Sequence, residues 1–422
     1  MIHPRRFHIV APRRIVWTGI VLPLLLGGAP LTTSAAEEET PTRQTAALLA
    51  DFTAQKNKFQ QALASAKSDE ESNAAQESQP DELDFSRRAL RIAKAKPEDS
   101  GARDALLWVV SQSASRPPRG ERLELERRAM DLLLEHHADD PEVARAGLLL
   151  IDAISIDRER FLQGLVDRAK MQETKGLARM ALAPYLMCKL TVAEKVQAAG
   201  GPAKNIQPDY AETYADLRAC DIPATRSKAE RLLEEVIRDY GKVALVRSGP
   251  FRERDLERGL TLGQVAESRL DEIRNFVIGK PGPAIDGQDL AGAPLKLTDY
   301  RGKVVVLVFW ASWCGPCMEE VPHERELIAR YKGQPFALVG VTWDEDLEAA
   351  RRAIEANHID WPNWQDPLTS KSEGPIAKRY HVRSIPAVFV IDAEGILRAK
   401  NVRGESLDKA VADLLAETKP VP

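Results

Sequence analysis

From about residue 44 to residue 276, apolar residues recur every three or four positions with polar residues between them, and alternating stretches are rare. That period marks amphipathic helices, so this half of the chain is predicted to be helix after helix. One piece is self-similar. Arg87-Arg88-Ala89-Leu90 returns as Arg127-Arg128-Ala129-Met130, and each copy is followed by an acidic turn with a proline (Pro97, Pro141) and another apolar helix. The offset of about 40 residues is close to helical-hairpin periods, which points to a short helical-repeat array, with irregular helix packing as the alternative. A further helix over 229–240 shares an Ala-x-x-Leu-Leu pattern at an unmatched distance. Residues 66–82 lack large apolar groups and are predicted to be a mobile polar stretch.

The pattern changes at Gly279-Lys280-Pro281-Gly282-Pro283, a cluster of helix breakers that predicts a linker over 277–283. After it, Lys303 to Trp310 reads as a continuous β-branched and apolar run, as expected of a strand buried on both faces. The predicted order is a hairpin near 284–297, strand 303–310, helix 315–331, strand 336–343 and helix 346–357. Helix 374–380, strands 387–392 and 396–401, and helix 406–417 follow. The organisation is therefore a mostly α-helical domain over 37–276 and an α/β domain over 284–418, whose sheet carries helices on both faces.

Composition narrows the class. The 422 residues are 44% hydrophobic and 29% charged, which excludes collagen-like, wholly disordered and small disulfide-rich proteins. A net charge of -4 gives no footprint for nucleic acid. The first 14 residues hold Arg5, Arg6, Arg13 and Arg14 and no acid, and residues 15–36 are uncharged around an apolar segment at 20–26. Residues 1–36 thus read as an export signal, with small Ser34 and Ala36 placing a cleavage point before Glu37. The mature chain would carry a charge of -8. An uncleaved anchor is the alternative, opposed by Pro23, Gly27, Gly28, Pro30 and the polar Thr32, Thr33 and Ser34. Either way the bulk is expected outside the cytoplasm, in the periplasm or cell envelope, with a membrane contact only if the segment stays attached.

Four cysteines are too few for a structural framework, so each is read for chemistry. Cys188 and Cys220 lie in the helical half, where an oxidising compartment allows either a bridge worth roughly 3 kcal/mol or two buried thiols. His136 and His137 read as a solvated pair. Cys314 and Cys317 stand in Trp313-Cys314-Gly315-Pro316-Cys317, between the buried strand and a helix. Free amides and the positive dipole end of a helix stabilise a thiolate, which makes Cys314 the attacking sulfur. Cys317, one turn on, is placed to attack a mixed disulfide at Cys314 and release the client. Pro316 restricts the first turn, and Trp313 supplies an apolar flank to an exposed site. No second CxxC or histidine cluster follows, so no metal is expected.

Over residues 278–417 the chain resembles the thioredoxin superfamily, and within it the exported TlpA/ResA-type thiol-disulfide oxidoreductases. The resemblance rests on Trp-Cys-Gly-Pro-Cys, on Pro322 in the active-site helix, and on Val382-Arg383-Ser384-Ile385-Pro386 running to Asp392. It implies a thioredoxin-like α/β fold and a cis Ile385–Pro386 bond facing the dithiol, with the Ile385 backbone free to pair with a client chain. It also implies clients bearing disulfides or thiols, an upstream electron donor, and no cofactor beyond the Cys314–Cys317 dithiol. Gly315-Pro316 resembles the reducing members. Val308 stands where thioredoxin has a buried Asp, and the resemblance instead offers Glu345, with Asp344 as its rival, as acceptor of the Cys317 proton. His323, His358, His381, Trp361 and Trp364 read as structural. Two rival functions remain: a peroxiredoxin-like peroxidase, disfavoured by Ala311 where a Thr is needed, and a helical adaptor with an accessory redox domain.

Overall fold

The structure, a computed structural model, describes residues 40–112, 118–199, 207–245, 259–368 and 374–418. The expected export signal lies outside the described residues. Among them, no helix is long and apolar enough to cross a membrane.

The helices begin where the sequence supplies caps. Thr40, Ser68, Asp81, Asp140, Ser155 and Asp221 each accept a backbone N–H of the first turn with their side chains, and Thr261 forms a reciprocal capping box with Gln264. After α1 (Pro41–Ser65) and α2 (Asp69–Glu77) come three hairpins. They are α3 (Glu82–Ala95) with α4 (Ser100–Gln112), α5 (Glu121–His136) with α6 (Pro141–Gly147), and α7 (Ile156–Arg168) with α8 (Gln172–Ala198). Helix α3 packs on α5 and α5 on α7, while α4 packs on α6 and α6 on α8, so the hairpins stack in register. The repeated motif explains the stacking. Ala89 and Ala129 are both fully buried, and their small side chains let the helices approach. Arg87 donates twice to Glu121 (2.6 and 2.7 Å) and Arg127 twice to Asp157 (3.1 and 3.0 Å), each reaching the acidic first turn of the next hairpin. At Gly101 a Cβ would lie 2.2 Å from the Thr42 nitrogen, so only glycine lets α4 meet α1 this closely.

Helices α9 (Ala211–Ala219), α10 (Ile222–Tyr240) and α11 (Leu262–Asn275) complete this half, with α10 packed on both α8 and α11. Two expectations change, and one alternative is decided. The polar stretch at 66–82 carries helix α2, because Ser68 caps it and three acids fill its first turn. His137 is buried rather than solvated, and its Nε2 lies 2.6 Å from the Pro97 carbonyl, tying the second hairpin to the turn of the first. Cys188 and Cys220 are unbridged.

A second core begins at Phe276, while residues from Thr40 onward form one compact unit. The segment expected as a linker is pinned instead. Gly279 N–H donates to the Leu397 carbonyl, Leu397 N–H to Lys280, and Gly282 N–H to Gly395, so residues 279–282 run along the final strand. The hairpin β1 (Asp286–Gln288) and β2 (Pro294–Lys296) precedes the main sheet. That sheet has the order β5-β4-β3-β6-β7, from β3 (Val304–Trp310), β4 (Phe336–Thr342), β5 (Asn363–Gln365), β6 (Ala387–Ile391) and β7 (Leu397–Lys400). β3 runs parallel to β4 and antiparallel to β6, and all seven of its residues are buried, as the uninterrupted apolar run predicts. Helices α12 (Gly315–Arg330), α13 (Leu347–Asn357), α14 (Pro375–Arg379) and α15 (Glu405–Glu417) complete the domain. β5 was not foreseen. Three residues after Pro362 leave no period to detect, and the strand is defined by its pairing with β4 and by the Trp364 indole donating to the Leu295 carbonyl.

Candidate redox site

The end of β3 leads through Ala311-Ser312-Trp313 to Cys314, the N-cap of α12. Cys314 and Cys317 are joined as a disulfide, with their Cα atoms 5.3 Å apart. The Cys317 N–H points at Cys314 Sγ across 3.3 Å, so the sulfur occupies the position in which a capping oxygen usually accepts. A negative charge on that sulfur would be met by a backbone donor and by the positive end of a sixteen-residue helix. Pro316 lies in the first turn, where the missing N–H costs nothing, and Gly315 opens it. The site is less open than the sequence suggested. Cys314 and Cys317 are 5% and 3% exposed, while Trp313 beside them is 61% exposed.

Ile385–Pro386 is cis. Phe309 pairs with Ala387 in the β3–β6 register, so Pro386 stands level with Trp310 at the strand end that delivers the dithiol. The Ile385 N–H and C=O make no backbone hydrogen bond among the described residues, and the Pro386 carbonyl accepts from Arg403. Pro322 sits inside α12 without ending it.

The two candidate acids separate sharply. Glu345 is exposed, contrary to the partly buried carboxylate expected of it. Asp344 is 2% exposed, and its carboxylate accepts from Ser312 N–H (2.8 Å), Ser312 Oγ (2.6 Å) and Thr342 Oγ1 (2.7 Å). Asp344 therefore fixes the loop between β3 and the dithiol. Val308 is buried in mid-strand, leaving no acid at the thioredoxin position.

Sequence reading missed Glu324. It lies seven residues beyond Cys317 on the same face of α12, is 7% exposed, and has no hydrogen bond or ion pair with the described residues. Burial, reinforced by Glu320 one turn before it, pushes its carboxyl up to about 8. An apolar neighbour at Val321 and Leu327 on that face was the available signal, since acids seldom occupy the inward stripe of an amphipathic helix. His323 bonds Asp408 at 2.9 Å and His358 caps α13, so both are structural; Trp361 and Trp364 are buried. His381 faces Asp271 at 3.1 Å.

A buried strand feeding a dithiol at a helix start, beside a cis-proline, defines a thioredoxin-fold protein of the disulfide-exchanging class. Comparison with known proteins agrees. The AhpC/TSA family model matches residues 278–400. The thiol-disulfide oxidoreductase ResA of Bacillus cereus is 30% identical over 193 residues, spanning 46% of this chain and 99% of the relative. The ResA of Bacillus subtilis is 28% identical over 34% of this chain and 76% of its own length. Among solved structures, the thioredoxin domain of a thiol-disulfide oxidoreductase from Bacteroides vulgatus is 29% identical, covering 33% of this chain and 98% of its own, with a TM-score of 0.31. The chain belongs to the ResA family of thiol-disulfide oxidoreductases in the thioredoxin superfamily.

Proposed function

We propose that this oxidoreductase is exported and reduces disulfides in client proteins through Cys314 and Cys317. The observation that carries the reading is the placement of Cys314 Sγ at the helix N-cap, accepting the Cys317 amide and bonded to Cys317. In the reduced protein the Cys314 thiolate attacks a client disulfide, forming a Cys314–client bond and releasing one client thiolate. Cys317, deprotonated, then attacks Cys314 Sγ, closes the internal disulfide and releases the second client thiolate. Two electrons leave the protein, and an upstream dithiol donor must restore them. Of the two acids after β4, Glu345 is exposed and Asp344 already accepts three hydrogen bonds. Glu320 and Glu324 are the acids on the Cys317 face of α12.

Export rests on the arginine-rich, acid-free start and the uncharged segment that follows it. The reducing direction rests on the Gly-Pro pair between the cysteines. A peroxidase reading finds Ala311, without a hydroxyl, where peroxide activation needs Thr. Trapping tests the proposal: Cys317→Ala should hold clients as mixed disulfides on Cys314, identifiable by mass spectrometry. No adduct, or a Cys314–Cys317 potential well above about -150 mV, would sink the reductase reading.

A further inference from the structure

Helix α11 is rooted in one core and ends in the other. Leu262, Ala266 and Ile273 pack in the helical core, whereas Phe276, which caps the helix, is 4% exposed within the thioredoxin core. Its ring lies 5.5 Å from those of Tyr380, His381 and Phe389, and its carbonyl accepts Lys400 Nζ at 2.8 Å. The same helix end reaches the segment that leads to the cis-proline. Asp271 meets His381 Nε2 at 3.1 Å, and Glu272 accepts from the Arg383 guanidinium at 2.9 Å. Glu272 also faces Arg269 at 3.4 Å. Burial would raise the Glu272 carboxyl, but Arg383 and Arg269 outweigh it and hold it below the usual range. His381 is itself held in the left-handed region (φ 50°) with a buried side chain. Residues 382–386 thus run from an anchor on α11 to the cis-proline, whose carbonyl is held by Arg403.

We propose that Asp271, Glu272 and Phe276 are positioning residues for the client-binding loop, so that the helical half forms part of the client-recognition apparatus. The inference rests on the reductase reading, in which an extended client segment pairs with the Ile385 backbone. Such hydrogen bonds are sensitive to displacement of about 1 Å, and Arg383 stands two residues from Ile385. Loss of the Glu272–Arg383 contact therefore weakens client binding and leaves the chemistry at sulfur unchanged.

The test uses the full chain with insulin as the disulfide probe and dithiothreitol as the recycling reductant. Glu272→Gln and Arg383→Gln are each expected to raise KM for insulin about five-fold, with kcat and the Cys314–Cys317 reduction potential unchanged. The double variant Glu272→Gln with Arg383→Gln should raise KM no further than either single variant, because both remove the same contact. Unmoved KM in both single variants, a potential that shifts with KM, or additive effects in the double variant would each overturn the proposal. Should a single variant fail to fold by circular dichroism, Glu272→Asp and Arg383→Lys keep the charge and shorten the reach; each should give an intermediate KM, and a wild-type KM would count against it. Absence of insulin turnover in the wild type defeats the reductase reading and this inference with it. Turnover with an unmoved KM defeats this inference alone.

Discussion

Arg158 of α7 is fully buried and faces Glu126, itself 1% exposed, across 2.8 Å; Glu324 of α12 is 7% exposed and faces no cation among the described residues. The helical half repeats the first arrangement. Lys189 lies between Glu159 and Asp216 at 2.6 and 2.8 Å, and Arg145 between Glu142 and Glu173. Arg158–Glu126 and Arg145–Glu173 tie the second hairpin to the third, while Lys189 joins α7 and α8 of the third hairpin to α9. A buried charge set against a counter-charge serves the fold. An acid buried with no cation beside it keeps its proton near neutral pH and is available for proton exchange, and this one lies on the helix face that carries Cys317.

The contrast can be broken most sharply at the dithiol. Cys314→Ser should lower insulin reduction by ~10³-fold or more, while the urea midpoint in dithiothreitol, where the wild type carries no Cys314–Cys317 bond, moves little, since the nucleophile is lost, Ser can still cap α12 and no contact of the helical half changes. A matching loss of stability would show that the two halves do not divide labour this way. The next largest effect lies in the helical core. Glu126→Ala removes the buried carboxylate to which Arg158 donates, at a cost of about 3–5 kcal/mol in urea unfolding, and the double variant Glu126→Met with Arg158→Met should recover most of it.

A smaller, pH-dependent effect marks Glu324. Its carboxyl moves from an ordinary value of 4.5 in the unfolded chain up to about 8 in the folded one, so the folded state binds the extra proton between those values. Its contribution to stability is fully present below about 4.5 and is lost as pH rises toward about 8, with a slope of at most ~1.4 kcal/mol per pH unit. Denaturation across that window should show the decline, and Glu324→Gln should flatten it; an unchanged slope would mean the acid is solvated or paired. The smallest effects separate two neighbours. Asp344→Ala should cost about 1–3 kcal/mol by stranding Ser312 and Thr342, whereas Glu345→Gln should stay within about 0.5 kcal/mol and leave turnover unchanged.

Legibility followed the range of the signal. The dithiol, the strand before it and the helix after it are contiguous, so period and spacing expose them directly. The Arg-Arg-Ala repeat was also visible, although its meaning, a tie to the next helix start, needed Glu121 and Asp157 in place. Asp344 and Glu345 differ by one position, and sequence alone did not tell which of them is buried. Which one turns inward depends on the Ser312 and Thr342 donors that meet at the end of β4. The 277–283 segment looked like a linker because its glycines and prolines rule out a helix, yet the same backbone hydrogen-bonds along β7. The Glu272–Arg383 contact spans 111 positions, beyond any local pattern.

By itself the sequence determined the helical first half, the α/β second half, the adjacent cysteine pair at the start of α12, and the resemblance to the thioredoxin superfamily. These depend on side-chain period and on residues within one turn of each other, which the chain order preserves. Tertiary structure alone decided that Asp344 is buried and Glu345 exposed, that Glu324 has no partner among the described residues, and that α11 grips the loop before Pro386. Each of those depends on which surfaces meet after packing. Burial and charge pairing act through space, and chain order does not encode those distances directly.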